Sequence, residues 1–265
     1  MEKIVIAIDT MGTDNGSAYF VQGIAEAMDL YDDLSFIVTG KEEELKTYID
    51  QYGCDKTRIE VVDATEEITC HDAPVDAIRR KKNSSMVLAL NAVKEGRAAA
   101  CISGGNSGAL LAGGQFLVGR AKGVKRTPLA PLIPHRYGSS LLIDCGANVD
   151  AKPENLVQFA KMGSIYMKNI EGMAEIKDTL KSSVKTKIGG ALIYKPIKKT
   201  FKRYMADDKG GAPLLGLKGL VVKIHGNSKD TEVRSAIEQC RNFVKKDVTN
   251  QIIRTFVEEE NKGEN

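Results

Sequence analysis

The sequence predicts an α/β fold, with a mostly parallel sheet covered on both faces by helices. Three observations carry this prediction. Short apolar runs alternate with helix-period segments through the first two-thirds of the chain. The runs are apolar on successive residues, as in strands buried on both faces. Polar, glycine-rich loops follow several of them at the carboxyl end, where open α/β sheets bind ligands. At 265 residues the chain is long enough to bury a full core, and it reads as a single domain over 1–265.

The first strand is expected over 3–9 (KIVIAID), with Asp9 opening the loop DTMGTDNGS. A helix follows in SAYFVQGIAEAMDLY, then strands over 34–40 (LSFIVTG) and 58–63 (RIEVVD). A second helix is expected in SSMVLALNAVKEG, followed by a strand over 99–103 (AACIS) that ends in Ser103 and opens SGGNSG. A fifth strand is expected over 141–146 (LLIDCG), with Asp144 opening DCGANVDAKP. From Glu154 the pattern turns helical and stays largely so to about residue 204. A last strand over 219–226 (GLVVKIHG) precedes an amphipathic helix from about Thr231, and the polar stretch 258–265 reads as a frayed tail.

Composition excludes several classes. No uninterrupted apolar tract is long enough to span a bilayer, and the opening MEKIVIAID reads as a strand rather than a signal peptide. Five scattered cysteines without a CxxC pair suit a reducing, cytoplasmic setting. The three histidines have no zinc spacing, so no metal is expected. A net charge of +3 gives little support to nucleic-acid binding.

The stretch CISGGNSGALLAGG, residues 101–114, carries five glycines. It is not a Walker A loop, because Ala109 and Leu110 follow Gly108 where Lys and Ser/Thr are needed. It is not a dinucleotide fingerprint either, since Ser103 stands at the first glycine position and no acid appears between Gly108 and Asp144. Two readings stand on composition: an anion cradle of backbone N–H groups at a helix start, or a tight strand-to-helix turn.

Six blocks occur in one order: DTMGTDNG, APVDAIRRKKNSSMVLALNAVKEG, CISGGNSGALLAG, GVKRTPLAPLIP, LLIDCGANVDAKPENLVQFAKMGSIYM and GGAPLLGLKGLVVKIHGNS. Together they resemble the PlsX family of phosphate acyltransferases, nearly end to end. The resemblance implies a Rossmann-like three-layer α/β/α sandwich similar to that of phosphotransacetylases. It implies transfer of an acyl group from acyl carrier protein to inorganic phosphate for phospholipid synthesis, by a homodimer that uses no cofactor. The chain departs from the family pattern in one place. Family members are longer, and a span is expected to be absent between about Met167 and Met173.

Thioester phosphorolysis needs phosphate held against a carbonyl and a stabilised oxyanion more than it needs a strong base. On that basis Ser103, Gly104, Gly105, Ser107 and Gly108 are expected to cradle the anion, with Asn106 as a side-chain donor. Lys82, Ser84 and Ser85 would add charge and hydroxyls. Asp9, Asp14 and Asn15 would order the first loop and position Lys82, and Asn148 and Asp150 would shape the opposite wall. His225 would protonate the leaving thiolate or bind phosphate, so Lys82, Asn106 and His225 form the expected catalytic set. Each has a structural alternative: Asp9, Asp14 and Asp150 as loop caps, Ser84 as a helix N-cap, Lys82 as part of a solvated basic run, His225 as a hydrogen-bonded strand end. Arg79, Arg80 and Lys81 would attract acidic acyl carrier protein. His71 and His135 read as structural.

Between Lys181 and Arg203 there are eight basic residues and no acidic one. Gly189, Gly190 and Pro196 break the helical pattern there, predicting a protruding helical hairpin over 174–207 with Ala191, Leu192, Ile193 and Tyr194 at its tip. An apolar tip ringed by lysines suits an anionic membrane surface, and the family resemblance implies the same role at the inner face of the plasma membrane. The alternative is a tip packed in a dimer interface. Two further functions compete with the acyl-carrier enzyme: a shortened, non-catalytic homologue that keeps its binding surfaces, and a phosphotransacetylase-like enzyme using acyl-coenzyme A.

Overall fold

The structure is a computed structural model that describes residues 3–135, 138–170 and 210–263. The expected hairpin over 174–207, with its tip at Ala191, Leu192, Ile193 and Tyr194, lies outside the described residues.

The chain runs β1 (Ile4–Asp9), α1 (Ser17–Leu30), β2 (Leu34–Gly40), α2 (Glu42–Gln51), β3 (Ile59–Asp63), α3 (Pro74–Arg80), α4 (Ser85–Lys94), β4 (Ala100–Ser103) and α5 (Ser107–Gly113). Helix α5 passes into a π-helical segment, Gly114–Gly119. Then follow β5 (Leu132–His135), β6 (Gly138–Leu141), α6 (Pro153–Ile170), β7 (Ala212–Leu214), β8 (Leu220–Lys223), α7 (Asp230–Lys245) and α8 (Val248–Gly263).

Six strands form one sheet in the order β3-β2-β1-β4-β8-β7. All neighbours are parallel except β7, which is antiparallel to β8. Side chains alternate across it. Ile4, Ile6 and Ile8 pack with Phe20 and Ile24 of α1, Ile237 and Phe243 of α7 and Tyr166 of α6. Ala7, Ile37, Cys101 and Val221 face Ile78 of α3, Leu90 of α4 and Leu110 of α5. Helices therefore cover both faces, as the apolar strand pattern requires. The order reverses between β1 and β4: the chain runs outward through β2 and β3, then returns to the other side of β1. The crevice at the carboxyl ends of β1 and β4 is thus the topological switch point.

Two expectations are corrected. The stretch 141–146 contributes no strand to the main sheet. Leu141 ends β6, which pairs only with β5 in a separate antiparallel hairpin. Beyond it the Asp144 carboxylate accepts from the N–H of Leu129 at 2.7 Å and of Asn148 at 2.6 Å. These bonds turn the backbone into a loop instead of leaving its polar groups to a ladder. The stretch from 258 is also not frayed as far as it is described. Helix α8 continues to Gly263, and Lys161 of α6 reaches both carboxylate oxygens of Glu259 at 2.7 Å.

Candidate functional site

Register sets the site. Asp9 pairs with Thr39 on β2 and with Ser103 on β4, and Ser103 pairs with Lys223 on β8. Because side chains repeat every second residue, these four lie on the face that carries Ala7, Ile37, Cys101 and Val221. A polar row, Thr39–Asp9–Ser103–Lys223, therefore crosses four parallel strands at their carboxyl ends, under the start of α4.

Asp9 is the hub of the row and is 1% exposed. Its Oδ1 accepts from Ser85 Oγ at 2.5 Å and from the Met11 N–H at 3.2 Å, and its Oδ2 accepts from Ser103 Oγ at 2.6 Å. Ser103 Oγ in turn accepts from the Gly105 N–H at 3.1 Å, and Thr39 Oγ1 donates to the Ser85 carbonyl at 2.8 Å. Burial pushes the Asp9 carboxyl above its usual range. The hydrogen bonds from Ser103, Ser85 and Met11, then the charge of Lys223, pull it back. Asp9 therefore joins β1, β4 and α4 and carries the glycine loop through Ser103.

Lys223 closes the row, and sequence reasoning did not select it. Its Nζ donates to the Gly104 carbonyl at 3.1 Å and also to the Ile224 carbonyl. Burial lowers its pKa from 10.5 to about 8, against the opposing pull of Asp9 and Asp14. The available signal was a single charge at the carboxyl end of an otherwise apolar strand.

The loops above the row are drawn together. Gly12 adopts φ +69, and a Cβ there would come within 2.6 Å of the Ile68 carbonyl oxygen and 3.7 Å of Gly105 Cα, so only glycine fits comfortably. The Asp14 N–H donates to the Gly226 carbonyl at 2.9 Å, and the Asn15 amide donates to the carbonyls of Asn227 at 2.7 Å and Ser228 at 3.3 Å. Asp14 and Asn15 thus order the first loop by tying it to the segment after β8. His225 lies there too. Its ring is exposed, its Nδ1 accepts a long bond from the Asn227 N–H at 3.4 Å, and its carbonyl would lie 3.4 Å from a Cβ on Gly104. Gly104, Gly105, Ser107 and Gly108 sit at the junction of β4 and α5, with Ser107 exposed at the first position of α5. The N–H groups of Ser107 and Gly108 have no partner within the helix. Thr13 Oγ1 in the first loop is buried with no hydrogen-bond partner among the described residues, and its Cγ2 would meet a Cβ on Gly104 at 2.9 Å.

Two members of the expected catalytic set are held by neighbouring backbone rather than by the row. Lys82 is exposed, and its Nζ donates to the Ile78 carbonyl of α3 at 3.1 Å, so the ammonium caps that helix instead of joining Asp9. Asn106 is the N-cap of α5: its Oδ1 accepts from the Ala109 N–H at 3.0 Å. Its amide donates to the carbonyls of Thr69 at 3.0 Å and Asp72 at 3.3 Å. Both amide protons are committed, leaving none for an anion.

The rest of the expected residues divide cleanly. Ser85 belongs to the row, whereas Ser84 is the N-cap residue of α4 and its hydroxyl donates to the Lys81 carbonyl at 2.7 Å. Lys81 is held by Asp72 at 2.8 Å and the Glu67 carbonyl at 2.7 Å, which keeps Asp72 down at about 2. The Arg79 guanidinium lies 5.9 Å from the centre of the Phe116 ring. Asn148 donates to the Thr127 carbonyl and the Asp144 carboxylate, each at 3.0 Å, and Asp150 lies 3.5 Å from Arg126. They build a second loop cluster, joined to the row by no hydrogen bond among the described residues. The Cys101 thiol sits beneath the row, and burial raises its pKa well above the thiol range, which makes it inert.

Comparison with known proteins gives one consistent result. The family model described as Fatty acid synthesis protein matches residues 4–177 and 173–251. A phosphate acyltransferase of Clostridium botulinum (strain Alaska E43 / Type E3) is 34% identical over 327 aligned residues, covering 95% of this chain and 98% of that protein. One from Clostridioides difficile (strain 630) is 36% identical over 337, covering 98% and 99%. Both alignments are longer than the 265-residue chain, so the relatives carry residues this chain lacks. Among solved structures, the EutD phosphotransacetylase from Staphylococcus aureus superimposes with TM-score 0.54 at 15% identity over 91% of this chain and 94% of its own. A branched-chain phosphotransacylase from Enterococcus faecalis V583 superimposes with TM-score 0.52 at 13% identity, covering 90% and 98%. At these identities the two structures speak for the fold, a phosphotransacylase-like α/β architecture.

Proposed function

The chain belongs to the fatty acid synthesis protein family whose relatives are phosphate acyltransferases, and from that premise we propose that it transfers an acyl group from a thioester to inorganic phosphate. The observation that carries this reading is the Asp9–Ser103–Lys223 row beneath the glycine loop at the switch point. A phosphate oxygen attacks the thioester carbonyl carbon, the C–O bond forms, and the carbonyl becomes a tetrahedral oxyanion. The C–S bond then breaks, the electron pair leaves on sulfur, and the proton of hydrogen phosphate ends on the departing thiol. The products are an acyl phosphate and a free thiol, with atoms and charge in balance. The protein's task is to hold phosphate against the carbonyl and to neutralise the oxyanion. The main-chain N–H groups of Ser107 and Gly108, which have no partner within α5, and the hydroxyl groups nearby suit both tasks, and Lys223 supplies a cation beside them.

The acyl donor in this reading is acyl carrier protein, and the product feeds phospholipid synthesis. The chain works as a homodimer on the inner face of the membrane, held there by the basic segment over 174–207. No helix among the described residues is long and apolar enough to cross a membrane, so peripheral attachment is the form the proposal takes. A second reading, a shortened homologue that binds but does not catalyse, is favoured by one observation. The family match falls into two stretches that meet at 173–177, beside the expected shortening, and the relatives' alignments exceed the chain in length.

One assay separates these readings. Purified protein is given acyl carrier protein and coenzyme A thioesters side by side, and phosphate-dependent loss of thioester is followed together with acyl phosphate. Carrier-dependent turnover supports the enzyme, and turnover with coenzyme A alone reassigns the donor. No turnover with either donor supports the binding-only homologue.

A further inference from the structure

Lys223 is the one cation of the row, and its hydrogen bonding is incomplete among the described residues. An ammonium has three N–H donors. Two are given to the carbonyls of Gly104 and Ile224. No carboxylate among the described residues forms an ion pair with it. The carboxylates that act on it, Asp9 and Asp14, do so through charge alone. Asp9 is already committed to Ser85, Ser103 and Met11. A partly buried cation without a contacting counter-ion is costly unless a ligand supplies one. The two carbonyls also fix where the ammonium sits, against the loop that joins β4 to α5 and under the cover of the 10–16 loop. Thr13 Oγ1, in that same cover, is a buried hydroxyl with no hydrogen-bond partner among the described residues.

We propose that Lys223 is the cation of the phosphate subsite, giving its third N–H to an oxygen of inorganic phosphate while its other two fix the carbonyls of Gly104 and Ile224. The proposal rests on the acyltransferase reading for the identity of the anion, and on the row alone for the position of the charge. It replaces Lys82 with Lys223 as the site's lysine. It also explains why a lysine ends a strand whose preceding residues, Leu220, Val221 and Val222, are buried.

A charge that must be present to bind phosphate gives the affinity a titration. The charged groups that act on Lys223 are Asp9 from β1 and Asp14 from the first loop; Cys101 lies lower on the same face of the sheet, and His225 is two residues further along the chain. Burial raises the Cys101 thiol far from neutrality. With Lys223 at about 8, the ammonium is lost on going from pH 7 to pH 9. Inorganic phosphate keeps its dianionic form over the upper part of that range, so the alkaline fall belongs to the protein.

The test is calorimetric titration of the whole protein with inorganic phosphate at pH 7, 8 and 9, in two buffers of different ionisation enthalpy. Wild-type affinity is expected to fall about fivefold between pH 8 and pH 9, with proton uptake on binding at pH 9. Lys223→Met is expected to bind at least about tenfold more weakly at pH 7 and to show no alkaline fall. Lys223→Arg keeps its charge to far higher pH and is expected to bind as well at pH 9 as at pH 7. If Lys223→Met keeps its circular dichroism and wild-type affinity, the proposal is overturned. A wild-type affinity that stays flat from pH 7 to pH 9 without proton uptake overturns it too, and needs no variant to fold. The parent reading fails separately. Wild-type protein that binds phosphate by this titration but forms no acyl phosphate loses the enzymatic assignment and keeps the Lys223 subsite. Acyl phosphate formed by Lys223→Met at an unchanged KM for phosphate does the reverse.

Discussion

Removing the Asp9 carboxylate should loosen the sheet at its switch point, because three elements depend on two oxygens. In Asp9→Ala the hydroxyls of Ser85 and Ser103 and the N–H of Met11 lose their acceptor together. An orphaned buried donor costs about 1–3 kcal/mol, and the hydroxyls can turn toward other acceptors. Water entering the space left by the carboxyl offsets part of the loss, so the net destabilisation is expected near 3 kcal/mol rather than the sum of three full penalties. For a chain of this length that lowers Tm by about 6–12 °C. Asp9→Asn keeps the volume and one acceptor oxygen, and should lose about half as much. Urea unfolding followed by far-UV circular dichroism reads both. The sign with pH is a second check. Burial raises the folded-state pKa of Asp9 above the ordinary 3.8, so the folded protein binds this proton more tightly than the unfolded chain. The stability linked to that proton is complete below pH 3.8 and is lost as pH rises through the folded value. The deficit of Asp9→Asn against wild type should therefore be larger in acid and shrink toward neutrality. Asp9→Ala within about 0.5 kcal/mol of wild type, or Asn more damaging than Ala, would refute the hub.

Lys82→Ala should leave phosphate affinity unchanged and cost at most about 1 kcal/mol, because among the described residues its ammonium bonds the carboxyl end of α3; titration calorimetry and a melt read both quantities. Arg241→Ala should cost about 3 kcal/mol, since Asp33 is buried and pairs with Arg241 at 2.8 Å and Lys245 at 2.6 Å. Arg241, then Lys245, holds the Asp33 pKa at about 2, so the pair's stabilisation is present above pH 3.8 and is lost as pH falls toward 2; acid unfolding of the variant should lose much of that limb. Gly12→Ala should cost about 1–3 kcal/mol by strain at φ +69 and contact with the Ile68 carbonyl, and should weaken phosphate binding by moving the loop over Gly105. Equal stability and affinity in that variant would show that the 10–16 loop does not shape the site.

The sheet was legible where burial is symmetric. Strands β1, β2, β4 and β8 read correctly because each is largely apolar on successive residues, a pattern few other elements produce, while β3 read correctly from its β-branched residues although it is only partly buried. Strand β7 is three residues long, too short to show any period. The run 141–146 looked like a strand because the hydrogen-bond demand of Asp144 is invisible in a count of apolar residues. At the site, Asp9 and Ser103 were legible as polar ends of apolar strands. Lys82 was chosen by residue type within a basic run, and Lys223 was overlooked beside a histidine with more obvious chemistry. Only register brings Lys223 to Ser103, and the contact from its ammonium to Gly104 spans 119 residues of sequence. The setting of Asn106 was hidden for the same reason: the carbonyls of Thr69 and Asp72 that hold its amide lie 37 and 34 residues earlier.

The difference in length between this chain and its relatives bears on the site less directly than it first suggests. The family match divides at 173–177, beyond the end of α6. Every group in the row comes from β1, β2, β4, β8 or the start of α4, and the hydrogen bonds they make among the described residues involve no residue near that junction. Binding an anion and transferring an acyl group are therefore separable demands on this molecule. In the proposed reading the first draws on the row and the glycine loop, whereas the second also needs walls that hold a thioester in line with the bound phosphate. A shortened chain can keep the first while changing the second, and the two would then answer differently to phosphate. Binding would saturate and titrate with Lys223 whether or not acyl phosphate appears. Phosphate affinity and turnover measured on one preparation thus locate the effect of the shortening. Loss of both would place it inside the row, where no hydrogen bond depends on the missing length, and would overturn this separation.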